Sequence, residues 1–142
     1  MIDIEYYYNG NIRCKSYYNE NNEYHRDNGP AVIEYYAYNK GVIYSETYYN
    51  NGRLHREDGP VIIRYSIFGI IQSEQYFING KSHRTYGPSD IFYDDNGDII
   101  YTQYWYKGLL YTYEIIEWMN ENNFDKEHMS KDNYDRMWME IL

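Results

Sequence analysis

Three copies of one short string carry the side chains most able to do chemistry. His-Arg-x-x-Gly-Pro occurs at His25-Arg26…Gly29-Pro30, His55-Arg56…Gly59-Pro60 and His83-Arg84…Gly87-Pro88. An imidazole can ligate a metal or move a proton, and a guanidinium fork suits phosphate and carboxylate oxygens. A shared metal fails on distance. Strands lie about 4.8 Å apart, so two or more strands per copy separate equivalent histidines by about 10 Å. Zinc sits about 2.0–2.1 Å from each nitrogen and needs its ligands far closer together. Two readings stand. His25, His55 and His83 with their arginines tie down a return turn, by hydrogen bonds to backbone or to the carboxylates of Asp27 and Asp58. Alternatively Arg26, Arg56 and Arg84 form an exposed row that binds anions.

A second column is aromatic: Tyr17, Tyr48, Tyr76 and Tyr104, each followed by Tyr18, Tyr49, Phe77 or Trp105. Such ladders usually pack across strands. An uncovered ladder would offer rigid amphipathic rings to a partner protein. Flanked by arginines, it could also stack the base of a phosphorylated small molecule such as a nucleotide. Catalysis finds no support, for there is no nucleophile elbow, phosphate loop or metal-ligand spacing. Cys14 falls in the column of Ser45, Ser73 and Tyr101, the place of a packed strand residue. No cofactor is implied.

The elements that must position these side chains follow from the repetition itself. The His-Arg strings lie 30 and then 28 residues apart, and turn glycines recur at Gly41, Gly69 and Gly97 and again at Gly52, Gly80 and Gly108. Gly10 takes the place of Gly41 in an earlier unit, and Ile4 and Tyr6 align with Ile91 and Tyr93. After each Gly-Pro come Ala31/Val61/Ser89, Ile33/Ile63/Ile91 and Tyr35/Tyr65/Tyr93 at spacing two, the period of a strand with one buried face. The next strand carries Ile12/Ile43/Ile71/Ile99. By parity this column shares a face with the second aromatic of each pair, because adjacent aromatics point to opposite faces. Each unit therefore reads as one β-hairpin and a short return through His-Arg-x-x-Gly-Pro. Stacked units give a mainly β, antiparallel meander whose open ends need capping.

Beyond residue 111 the pattern changes. Ile115, Ile116, Trp118 and Met119 cluster at helical spacing, and Asn-rich residues 120–123 break the segment. Ser130 is a plausible N-cap for a second helix with Tyr134, Met137, Trp138 and Ile141 on one stripe. The expected organisation is a repeat array over 1–111, of about four units, and a helical segment over 112–142 that packs on it.

Composition narrows the function classes. The 142 residues carry 22 acidic and 13 basic side chains, a formal net charge of −9, which disfavours coating nucleic acid or anionic membrane. Direct nucleic-acid binding and membrane insertion are not expected. Mimicry of nucleic-acid charge ranks last, since the acids are mixed with bases. One cysteine and the lack of a signal-like start suit an intracellular, cytoplasmic protein. Twenty-two tyrosines make the low mean hydropathy of −0.88 a poor guide to disorder.

The run at 48–61, Tyr-Tyr-x-Asn-Gly-x-Leu-His-Arg-x-Asp-Gly-Pro-Val, resembles MORN-like repeats, in the variant of antitoxin-type bacterial proteins and of giant-virus and phage proteins. The resemblance covers roughly residues 4–111. It implies an antiparallel sheet of hairpins, often ended by a helix, serving as an interaction platform for a host protein or for another copy. Together with the AT-rich codon bias that the composition suggests, it points to a viral source. The chain has His-Arg-x-x-Gly-Pro where the standard repeat has a Gly-rich turn. The rival function is capture of a phosphorylated small molecule.

Overall fold

The computed structural model describes residues 1–125 and 129–142; a short stretch of the expected C-terminal segment, 126–128, lies outside the described residues. The chain is mainly β. Eight strands form one antiparallel sheet: β1 (Ile2–Tyr6), β2 (Ile12–Tyr17), β3 (Val32–Tyr35), β4 (Ile43–Thr47), β7 (Ile62–Tyr65), β8 (Ile71–Gln75), β11 (Asp90–Tyr93) and β12 (Ile99–Gln103), paired in that order. Three two-stranded ribbons stand outside it: β5 (Tyr49–Asn50) with β6 (Arg53–Leu54), β9 (Phe77–Ile78) with β10 (Lys81–Ser82), and β13 (Trp105–Tyr106) with β14 (Leu109–Leu110). Helices α1 (Thr112–Glu121) and α2 (Lys131–Ile141) follow.

The hairpin turns are set by glycines with φ near +80°, such as Gly41 and Gly69, a region that only a residue without Cβ enters freely. Each turn adds a bulge on its second strand, with Arg13, Tyr44, Gln72 or Ile100 as the extra residue opposite the step into Tyr6, Tyr35, Tyr65 or Tyr93. Register then aligns Ile33 and Ile63 on either side of Glu46, and Ile63 and Ile91 on either side of Glu74. These isoleucines are 9%, 8% and 6% exposed. The Tyr65 hydroxyl donates to Glu46 Oε2 (2.8 Å) and the Tyr93 hydroxyl to Glu74 Oε2 (2.6 Å), bridging neighbouring strands beside them. Burial and these carboxylates push both phenols well above their usual pKa.

The expected single hairpin per unit is corrected. The second strand stops at Thr47, Gln75 or Gln103, and the chain re-enters a separate two-stranded ribbon after Tyr48, Tyr76 or Tyr104. Parity along the second strand fails at the bulge that follows each isoleucine, and the Ile12/Ile43/Ile71/Ile99 column does not form the core; Ile71 and Ile99 are exposed. The separate ribbon is set by the second turn glycine. Asn51-Gly52, Asn79-Gly80 and Lys107-Gly108 all have positive φ at both residues, as a tight two-residue hairpin requires.

The largest apolar cluster lies at the C-terminal end. Tyr104, Ile115, Trp118, Met119, Tyr134, Met137 and Trp138 are buried together. The Ser130 hydroxyl caps α2 by accepting from the Asn133 N–H at 3.2 Å. The two helices fold onto the last unit, as the stripe of α2 implied.

Candidate functional site

The return motif is built by four residue types with four separate jobs. Arginine sits over the tyrosine at or just past the end of the sheet strand, with Arg26, Arg56 and Arg84 at 4.0, 4.1 and 3.9 Å from the ring centres of Tyr17, Tyr48 and Tyr76. Its Nη1 then donates to the proline carbonyl of its own motif, at 3.3 Å on Pro30, 3.2 Å on Pro60 and 3.0 Å on Pro88. Glycine leaves the room into which arginine packs. A Cβ on Gly59 would sit 2.9 Å from Arg56 Cζ, and one on Gly87 3.2 Å from Arg84 Cζ. Gly87 also has φ +105°. Gly87→Ala is therefore expected to destabilise the fold by roughly 1–3 kcal/mol, from backbone strain and displaced arginine, measured as a lower urea midpoint.

Histidine works on the next unit. Nδ1 of His25, His55 and His83 accepts the backbone N–H of Asn51 (3.1 Å), Asn79 (3.3 Å) and Lys107 (3.0 Å). Beside it, Gly52, Gly80 and Gly108 donate their N–H to Tyr24, Leu54 and Ser82 carbonyls, each at 2.9 Å. Each ribbon tip is thus pinned to the preceding unit by one ring nitrogen and one carbonyl. On the other side Nε2 meets Asp27 Oδ1 at 3.0 Å in the first copy and Thr85 Oγ1 at 3.2 Å in the third.

His83 carries a pH dependence. Burial, then the nearby Lys107 charge, lowers its pKa below 6.5. The folded state therefore binds fewer protons than the unfolded state between those two values, and stability rises with pH there. The contribution is complete above about pH 7, from the unfolded histidine value, and is lost as pH falls through the folded pKa. Comparing urea midpoints from pH 8 to pH 5 should show a smaller fall in His83→Gln than in the parent protein. An equal fall would mean that His83 is not the group that titrates.

The tyrosine column divides. Tyr17, Tyr48 and Tyr76 have one face under an arginine, and burial raises the phenol pKa of Tyr48 and Tyr76. Tyr104 has no arginine, since Thr112 stands in that column. It is 2% exposed, enclosed by the helical cluster. Of the two readings of the ladder, core packing or a binding face, Tyr104 takes the first. The ladder is not an open aromatic stripe, because guanidinium groups and the helices cover it.

The arginines, in turn, are not a free row. Each is spoken for by a ring and a carbonyl, and Arg56 Nε also donates to Asp58 Oδ1 at 3.0 Å, which holds that carboxyl below its usual pKa. Sequence reasoning missed what lies between the motifs. A cleft of about 560 Å³ separates the first two, with Tyr48, Tyr49 and Asn50 between His25-Arg26-Asp27 and His55-Arg56-Glu57-Asp58. A second of about 450 Å³ follows, lined by Arg56, Glu57, Tyr76, Phe77, Arg84 and Tyr86 among others. Asp27, Glu57 and Asp58 stand at the rims with side chains 85%, 90% and 86% exposed. The signal was present as acidic residues at the x positions of the motif.

Among the described residues no group of three or more His, Cys, Asp or Glu side chains is placed to hold a metal ion. Cys14 is half-buried beside Ser16, and burial pushes its thiol pKa up, away from a reactive thiolate. No helix among the described residues is long and apolar enough to cross a membrane. No family model, curated protein or solved structure matches the chain.

Proposed function

We propose that this is a non-catalytic, MORN-like repeat protein that binds another protein through the clefts between successive return motifs. The observation that carries the reading is the recurrence of the cleft: aromatic side chains on its floor, arginines already occupied, and exposed carboxylates on its rim. Rigid tyrosines contribute contact area at low entropic cost, and the acidic rims favour a partner segment bearing lysine or arginine. The alternative of phosphate capture is weaker on the same geometry. An incoming phosphate would meet Asp27, Glu57 and Asp58 at the mouth and would have to displace Arg56 from Pro60, Asp58 and Tyr48. The viral source, and with it a host protein as the partner, rests on the repeat variant together with the AT-rich codon bias.

Native mass spectrometry of the protein purified from its natural source tests this. The expected result is a co-purifying protein of defined stoichiometry, lost when Tyr49→Ala is combined with Glu57→Lys. A bound mass of a few hundred daltons, lost with Arg56→Ala, would instead establish ligand capture.

A further inference from the structure

The sheet has two edges, and they match one another. Within the chain, each hairpin joins the next in one register: Lys15 opposite Ile33, Glu46 opposite Ile63, Glu74 opposite Ile91. The residue after each of these pairs Ser16 with Val32, Thr47 with Ile62 and Gln75 with Asp90. At the far edge β12 continues the columns, with Thr102 in the place of Glu74 and Gln103 in the place of Gln75. At the near edge β1 supplies Ile4 in the place of Ile91 and Asp3 in the place of Asp90.

The junction between β8 and β11 shows what the two edges would make. Gln75 Nε2 donates to Asp90 Oδ1 at 3.3 Å, and Ile91 is buried beside Glu74. Gln103 and Asp3 would form the same amide–carboxylate pair, and Ile4, now 36% exposed, would be covered in the way Ile91 is. The backbone groups also point the right way. The Gln103 carbonyl accepts from the Ser89 N–H and so faces β11; alternation sends the Thr102 N–H and carbonyl outward.

The helices do not close this edge. They end the array one residue later, where the Thr112 hydroxyl accepts the Tyr104 N–H at 3.0 Å, the bond that Tyr76 makes to the Ser89 carbonyl in the preceding unit. Ile99, Ile100 and Tyr101 of β12 stay exposed, as do Leu109 and Leu110 of β14 and Ile2, Ile4 and Tyr6 of β1. Each edge strand has five residues, with Asp3 and Glu5 on β1, and neither holds a proline or lysine, so their unpaired backbone groups are open to strand addition.

We infer that a second copy of the chain docks head to tail, its β1 adding to β12 in the register that joins the hairpins internally. The contact is heterologous, so it repeats rather than closing as a symmetric dimer. This deepens the interaction reading by naming a self-partner at a surface apart from the return-motif clefts.

Thr102→Pro and Ile4→Pro each remove one outward N–H from an edge strand, where proline is tolerated. In sedimentation velocity the parent protein is expected to gain mass with concentration, and each variant alone to stay monomeric. An equimolar mixture of the two variants retains one good edge of each kind and should form a 1:1 dimer, twice the monomer mass and no larger. A parent protein monomeric throughout, or a dimer that persists in one variant alone, overturns the inference. Thr102→Lys and Ile4→Lys repeat the test without constraining the backbone, should proline disturb the fold. Capture of a different protein by the clefts is unaffected by these variants, so either reading can fail without the other.

Discussion

Trp138→Ala is expected to cost about 3–5 kcal/mol, the range for removing a large buried aromatic. The indole is the rivet between the helices and the repeats. It packs on Tyr106 with ring centres 4.5 Å apart and edge-on to Tyr111 at 5.7 Å, and its Nε1–H donates to the Thr85 carbonyl at 2.7 Å. Truncation leaves a cavity beside Tyr106 and Tyr111 in the buried cluster and removes the donor from a return-motif carbonyl. Against a typical total of about 5–15 kcal/mol, a loss of this size populates molecules whose cap is open. Urea unfolding reads it directly. Met139→Ala on the same helix, whose side chain is exposed, should stay within about 0.5 kcal/mol of the parent protein.

Arg56→Ala should cost roughly 2–3 kcal/mol, less than the tryptophan but more than an exposed arginine normally would. Two contacts are lost at once: a charge-assisted bond to the Pro60 carbonyl, of about 1.5–3 kcal/mol, and the guanidinium on the Tyr48 ring, of about 0.5–2 kcal/mol. They overlap, since one guanidinium makes both. The bond to Asp58 adds little, its carboxylate being solvent-exposed. Arg56→Lys is expected to recover less than half, because an ammonium keeps the charge but not the planar fork that spans ring and carbonyl. An anion-binding arginine would behave the other way: alanine would leave the urea midpoint unchanged or raise it by relieving charge crowding.

Much of this architecture could be read from the chain because repetition averages out local noise. Ile33, Ile63 and Ile91 occupy one column, and their shared burial follows from a period of two. Ser130 could be read as an N-cap because serine precedes an apolar stripe. The ribbons could not be read in the same way. Two-residue strands such as Tyr49–Asn50 are too short to show alternation, so only Asn51-Gly52 and Asn79-Gly80 marked them, and those were absorbed into a single return. The partner of each arginine was equally hidden. Tyr48 and Arg56 lie eight residues apart across a ribbon, a separation with no meaning in a strand or helix, and only the fold brings ring and guanidinium together. Histidine acts across units, on a backbone N–H that no side-chain pattern records.

The motif histidines act as structural acceptors that pin the following unit. A long-range proton–nitrogen correlation spectrum of the imidazoles at pH 8 reads this from the ring nitrogens themselves. His25, His55 and His83 should each show the tautomer with the proton on Nε2 and a bare, hydrogen-bonded Nδ1, unchanged when phosphate is added. Protons on Nδ1, or ring signals that shift with phosphate, would contradict this role and return the motif to the anion-binding row.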